Sequence, residues 1–168
     1  MDTIIRTNII AESAKTLCDP SKIDFSASRW AADRVAELTP EQSSKTIEAV
    51  ADAVAARAAE ILDANALDLE AMDPADPKYD RLLLTQERID AIVAEMRNVA
   101  ALPSPVGVEL ERRRRPNGML IRKVTTPFGV IGVIYEARPN VTFDVFALCF
   151  RAGSAVVLKG GSQASHTN

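Results

Sequence analysis

Along the first hundred residues, apolar side chains recur three and four apart. Beyond Pro105 they alternate or run consecutively, so the expected secondary structure changes there from helix to strand. Thr39-Pro40-Glu41-Gln42 is a helix start: Thr39 suits the cap, Pro40 the first turn, and Gln42 completes a capping box. Ile47, Val50, Val54, Ala58 and Ile61 follow on one face. The alanine-rich stretch 51–66 continues the helix until the prolines of 72–77 stop it. A second start at Thr85 leads a stripe of Ile89, Ile92, Val93, Met96 and Val99, closed by Pro103 and Pro105. Residues 26–38 make a shorter helix through Trp30, Val35 and Leu38. Core packing accounts for all these stripes, with no ligand required.

After Pro105, Val108 to Arg112 alternates apolar and polar, the period of a half-buried strand. Pro116-Asn117-Gly118 is a turn signal, and Met119 to Val124 returns, so the pair predicts a hairpin. Gly129 to Tyr135 is a β-branched run fit for a strand buried on both faces. An apolar helix from Phe143 to Ala152, ended by Gly153, and a second buried strand, Ser154 to Lys159, complete a parallel βαβ unit. The fold class is therefore α/β: an N-terminal helical layer, a β-hairpin, then the start of a Rossmann-like parallel sheet.

Ligands of such sheets bind beyond the carboxyl ends of the strands. Those ends are residues 136–140 and 159–163. They carry Arg138, Asn140, Lys159 and Ser162, all suited to anionic or hydroxyl groups. No GxGxxG fingerprint is present; Gly129 and Gly132 stand at a strand start.

Composition narrows the chemistry. The 168 residues have a net charge of −3 and are 47% hydrophobic, enough for one domain with a core. Cys18 and Cys149 are too few for a disulfide scaffold or a four-ligand zinc site. The single histidine, His166, argues against a Ser-His-Asp triad. The apolar runs fall well short of the roughly 18 residues of a membrane span, and the first fifteen residues carry no secretory h-region. A reducing cytoplasm, with both thiols free, is the expectation. Residues 1–105 hold 11 Lys/Arg against 19 Asp/Glu, and residues 106–168 hold 9 against 4. An acidic helical layer thus adjoins a basic segment. Arg112 to Arg115 at the hairpin tip have two readings. One is nucleic-acid binding; the other is pairing with acids of a neighbouring subunit or of the helical layer. With no aromatic residues interleaved and an acidic chain overall, the second is favoured, and no nucleic-acid partner is expected. Cys149 sits in an apolar segment with no adjacent base, where burial makes an inert thiol. Asp19 beside Cys18 disfavours thiolate there.

The stretch PFGVIGVIYEARPNVT, Pro127 to Thr142, resembles the signature of the gamma-glutamyl phosphate reductase family. These enzymes, also called glutamate-5-semialdehyde dehydrogenases, belong to the aldehyde dehydrogenase superfamily. The resemblance continues through VVLKGGS (156–162), LERRR (110–114) and LTQERI (84–89). It implies NADPH-dependent reduction of L-glutamate 5-phosphate to glutamate 5-semialdehyde with release of phosphate, a step of proline biosynthesis. It further implies a cytoplasmic enzyme with no membrane partner. The corresponding organisation is 1–105 as the helical part of the cofactor-binding domain, 106–126 as a hairpin for homo-oligomerisation, and 127–168 as the first βαβ unit. The family's nucleophilic cysteine lies in a later catalytic domain, expected to be absent from this chain. The isolated chain is therefore expected to be inactive, or to serve as a non-catalytic truncated module pairing with a full-length subunit. By resemblance Lys159 stands near the adenosine ribose; a plain surface lysine is the alternative. Ser162 and Gln163 complete the expected cofactor contacts. Many relatives have glutamate where Gln163 stands, which puts a carboxylate contact to the ribose in question. Asn140 matches an oxyanion-stabilising asparagine, or else caps the helix that follows. Arg138, from its chemistry and position, is expected to hold a substrate phosphate or carboxylate.

Overall fold

A computed structural model describes residues 25–168. Cys18 and the N-terminal fifteen residues lie outside the described residues. Helices α1 (Ser26–Ala36), α2 (Pro40–Ala56), α3 (Ala58–Glu70), the single turn α4 (Tyr79–Leu82) and α5 (Gln86–Ala101) come first. The hairpin β1 (Glu109–Arg114) and β2 (Leu120–Val124) follows, then β3 (Val130–Ile134), α6 (Pro139–Arg151) and β4 (Ala155–Lys159).

The cap of α2 forms as its residues dictate. The Gln42 N–H donates to Thr39 Oγ1 at 3.2 Å, and the Thr39 N–H donates to Gln42 Oε1 at 2.9 Å. The two apolar stripes meet: Ile47, Ala51 and Val54 of α2 pack on Ile89, Ile92, Val93 and Met96 of α5. Phe143, Phe146, Ala147 and Phe150 of α6 close this core from the other side. Arg151, at the end of α6, is buried without a carboxylate. Its Nε donates to the Leu102 carbonyl at 2.9 Å and its Nη1 to the Pro40 carbonyl at 2.8 Å, so one guanidinium ties α6 to the ends of α2 and α5.

The expected continuous helix after Thr39 is interrupted at Arg57, whose φ of −109° and ψ of 20° leave the helical region. No proline or glycine stands there. The break lets α2 stay on α5 while α3 diverges toward residues 82–84 and 164–167, so tertiary packing overrides local propensity. Trp30 is not a core residue: it is 64% exposed, with the Arg34 guanidinium 5.5 Å from its ring centre, and Ala32 is the buried residue of α1.

The hairpin is antiparallel, with Arg112 opposite Arg122 and an irregularity between Glu109 and Glu111. It is not half-buried. Both faces are exposed, because nothing else among the described residues covers them. The like-charged pair is relieved by Glu109, which holds Arg112 Nε at 2.7 Å and Arg122 Nε at 3.3 Å. Arg113 pairs with Glu111. The ion pairs of Arg112 and Arg113 are thus internal to the hairpin and not to the helical layer.

β3 and β4 pair in parallel, Val130 opposite Ala155 through Ile134 opposite Lys159, with α6 as the crossover. Neither strand is fully buried. Ile134 is 81% exposed, and β4 is at best half-buried. A two-stranded sheet gives each strand one ladder neighbour and leaves an edge open. Gly153 ends α6 at φ +73°, where an added Cβ would lie 2.9 Å from Pro127 Cγ; only glycine fits this turn into β4. Among the described residues, no helix is long and apolar enough to cross a membrane.

Candidate functional site

The register of β3 and β4 brings the two strand ends together. The Tyr135 N–H donates to the Lys159 carbonyl at 3.1 Å. Gly161 passes so close to residues 136 and 137 that a Cβ on it would meet the Ala137 nitrogen at 3.0 Å. From this junction the side chains diverge into separate recesses.

Arg138 and Asn140 share one of them, a cleft of about 430 Å³ between the Asp80–Arg88 segment, α5 and the start of α6. Arg138 is the residue preceding α6, and Pro139 opens the helix. Asn140 does not cap the helix. It lies inside the first turn, and its amide donates to Asp144 Oδ2 at 3.3 Å, the i,i+4 neighbour on the same face. Ser162 and Gln163, on a short 3₁₀ turn (Ser162–Ala164), border a second recess of about 270 Å³ with Asp68 and His166. Lys159 stands exposed at the end of β4, its Nζ 3.3 Å from the Gly160 carbonyl.

Several residues of the cleft escaped sequence reasoning. Arg81, Arg88, Glu95 and Asp144 line it as well. Arg88 is committed to structure: it donates to the carbonyls of Asp80 and Leu83, the latter at 2.7 Å, and pairs with the Asp80 carboxylate at 2.7 Å. Burial pushes the Asp144 carboxyl above the usual aspartate range. The Asn140 amide opposes this and the nearby Glu95 charge adds to it. The signals for two of them were the LTQERI string, which contains Arg88, and the four-residue spacing from Asn140 to Asp144; Arg81 and Glu95 carried none.

Behind the cleft, Asn65 is 1% exposed and clamps the chain that carries it. Its Nδ2 donates to the Leu82 carbonyl at 2.9 Å, and its Oδ1 accepts from the Leu84 N–H at 2.8 Å. One helical turn on, the carboxylate of Asp68 is 3% exposed. It accepts from the N–H groups of His166 and Thr167, from the Thr167 hydroxyl at 2.6 Å, and contacts His166 Nδ1 at 2.7 Å. Burial alone would raise its pKa. The four contacts outweigh that and hold it below the ordinary aspartate value. Cys149 is half-buried in α6, and burial pushes its thiol up, away from nucleophilic thiolate.

The architecture places the chain among α/β proteins of a known type. The solved gamma-glutamyl phosphate reductase of Thermotoga maritima superposes with a TM-score of 0.79 at 34% identity, over 83% of this chain and 35% of the other. The Saccharomyces cerevisiae enzyme superposes with a TM-score of 0.78 at 32% identity, over 83% and 36%. No family model matches the chain. In sequence, the gamma-glutamyl phosphate reductase of Parabacteroides distasonis is 69% identical over 109 residues, 65% of this chain and 26% of the relative. That of Chlorobium luteolum is 50% identical over 153 residues, 91% of this chain and 36% of the relative. The chain belongs to the gamma-glutamyl phosphate reductase family, matching its N-terminal part. It spans about a quarter to a third of the length of these relatives.

Proposed function

We propose that these residues form the cofactor- and substrate-facing part of an enzyme that reduces L-glutamate 5-phosphate with NADPH to glutamate 5-semialdehyde, in proline biosynthesis in the cytoplasm. The observation that carries this reading is the cleft at the carboxyl end of β3, where Arg138 and Asn140 meet. The domain division follows from it: helices to residue 105, hairpin 106–126, and the first βαβ unit from 127.

Asn140 sits on a turn with its amide at the cleft surface, a donor for charge developing on an acyl oxygen. Arg138, with a forked guanidinium in no ion pair among the described residues, suits the phosphate or carboxylate of the substrate. Burial pushes the Cys149 thiol up, which disfavours it as the thiolate nucleophile of this reaction.

The strand-end residues fit a dinucleotide. Gly161 lets the backbone approach Ala137 closely, and Lys159, Ser162 and Gln163 present exposed donors and an amide in place of a carboxylate. Lys159 would hold ribose hydroxyls or a 2′-phosphate, with Ser162 and Gln163 beside it; the bound nicotinamide supplies the hydride. The exposed hairpin, with Leu110, Leu120 and Ile121 open on its surface, is proposed as the surface for pairing with another copy, in the intact enzyme or as a truncated module.

The test is a chimera joining this chain to the remaining part of the Parabacteroides distasonis relative, assayed by phosphate-dependent NADP⁺ reduction with glutamate semialdehyde. Asn140→Ala is expected to lower kcat by roughly 10²–10³-fold, and Lys159→Ala to weaken NADPH binding with little change in kcat. A kcat within a few-fold of the parent for Asn140→Ala ends the oxyanion assignment.

A further inference from the structure

The cleft carries three charges of each sign, and two of each are left without an ion pair among the described residues. Arg88 is engaged with the Asp80 and Leu83 carbonyls and the Asp80 carboxylate. Among the described residues, however, Arg81 and Arg138 form no ion pair, and neither do Glu95 and Asp144, although all four line the same space. Opposite charges that share a cleft without pairing leave two complementary poles to a ligand. The acidic pole is built on two elements that pack together: Glu95 of α5 and Asp144 of the second turn of α6 both line the cleft. Two carboxylates that line one recess without a cationic partner among the described residues suit a cationic ligand group. A primary ammonium is such a group, with three N–H donors that two carboxylates satisfy at once.

We propose that Glu95 and Asp144 recognise the α-ammonium group of an amino-acid substrate, while Arg81 and Arg138 take its anionic groups. The cleft then selects a glutamyl compound over the corresponding dicarboxylate without the amine. This deepens the proposed function and rests on its placing the substrate in this cleft. The Asn140 amide, bonded to Asp144, couples the ammonium pole to the proposed oxyanion donor through a single contact. Asp144 is a specificity-determining residue in this scheme, and Glu95 acts with it.

The test is a titration of the isotope-labelled 168-residue chain with L-glutamate and with glutarate, followed by amide NMR shifts. Wild type is expected to bind L-glutamate about tenfold more tightly than glutarate, the worth of one charge-assisted contact. Shifts should centre on residues 95, 138 and 144. Asp144→Asn and Glu95→Gln should each erase the preference by weakening glutamate and strengthening glutarate, with the rest of the spectrum unmoved. Equal binding of the two acids by wild type, or a preference that survives both substitutions, overturns the ammonium assignment and leaves the substrate cleft standing. Absence of shifts in the cleft with either acid overturns the cleft as substrate site and this inference with it.

Discussion

Replacing Asn65 by leucine removes the clamp behind the cleft at nearly constant volume. The wild-type amide is 1% exposed and pairs at both ends, 2.9 Å to the Leu82 carbonyl and 2.8 Å from the Leu84 N–H. Leucine strands both backbone groups in a site closed to water. Each stranded group costs roughly 1–3 kcal/mol. Apolar burial by the new side chain returns part of this, so a net loss of about 2–4 kcal/mol is expected. Asn65→Asp separates the two ends of the amide. It keeps the acceptor for Leu84 but turns an oxygen toward the Leu82 carbonyl and buries a charge. Its loss at pH 7 should match or exceed that of leucine and shrink on acidification, when a protonated carboxyl regains a donor. Urea unfolding at pH 7 and pH 4.5 measures both variants, and amide exchange at Leu84 reports the local bond. A loss below about 1 kcal/mol with wild-type protection at Leu84 would refute the argument. The consequence reaches the cleft, since residues 80–88 carry Arg81 and Arg88 into its lining.

Three further outcomes follow from the geometry. Asp68 has a folded pKa below its ordinary value of 3.8. Its contribution is therefore complete above that value and disappears as pH falls through the lower folded one; Asp68→Asn should flatten this acid limb in a stability–pH profile. Asp144, raised in the fold, has the opposite sign, and Asp144→Asn should leave stability at pH 7 unchanged or slightly higher in urea unfolding. Gly153→Ala places a Cβ 2.9 Å from Pro127 Cγ at φ +73° and should cost about 2–4 kcal/mol, read as a drop in Tm.

The elements with local causes were legible in advance. The capping box at Thr39, the start at Thr85, the turn at Asn117-Gly118 and the glycine stop at Gly153 depend on residues within a few positions of one another. The place of Arg138 and Asn140 at a strand end, where the cleft opens, was legible because they follow a strand of a βαβ unit. Glu95 was not. It lies on an ordinary amphipathic helix, and its position opposite Asp144 depends on how α5 packs against α6. Asn65 and Asp68 were equally silent, being polar positions of an alanine-rich helix whose partners lie 17 and 98 residues away. The burial of β3 and β4 was over-read, because a β-branched run records what a strand is fit to bury against and not what covers it.

The order of helices, hairpin and parallel unit, and membership in the reductase family, were already set by the amino-acid sequence, since periodicity, caps and turns act over a few residues and the signature is contiguous. The break at Arg57, the split of the candidate residues between two recesses and the two-signed cleft were decided by tertiary structure alone. They depend on where separate elements meet, and packing of an apolar core fixes that meeting without regard to distance along the chain.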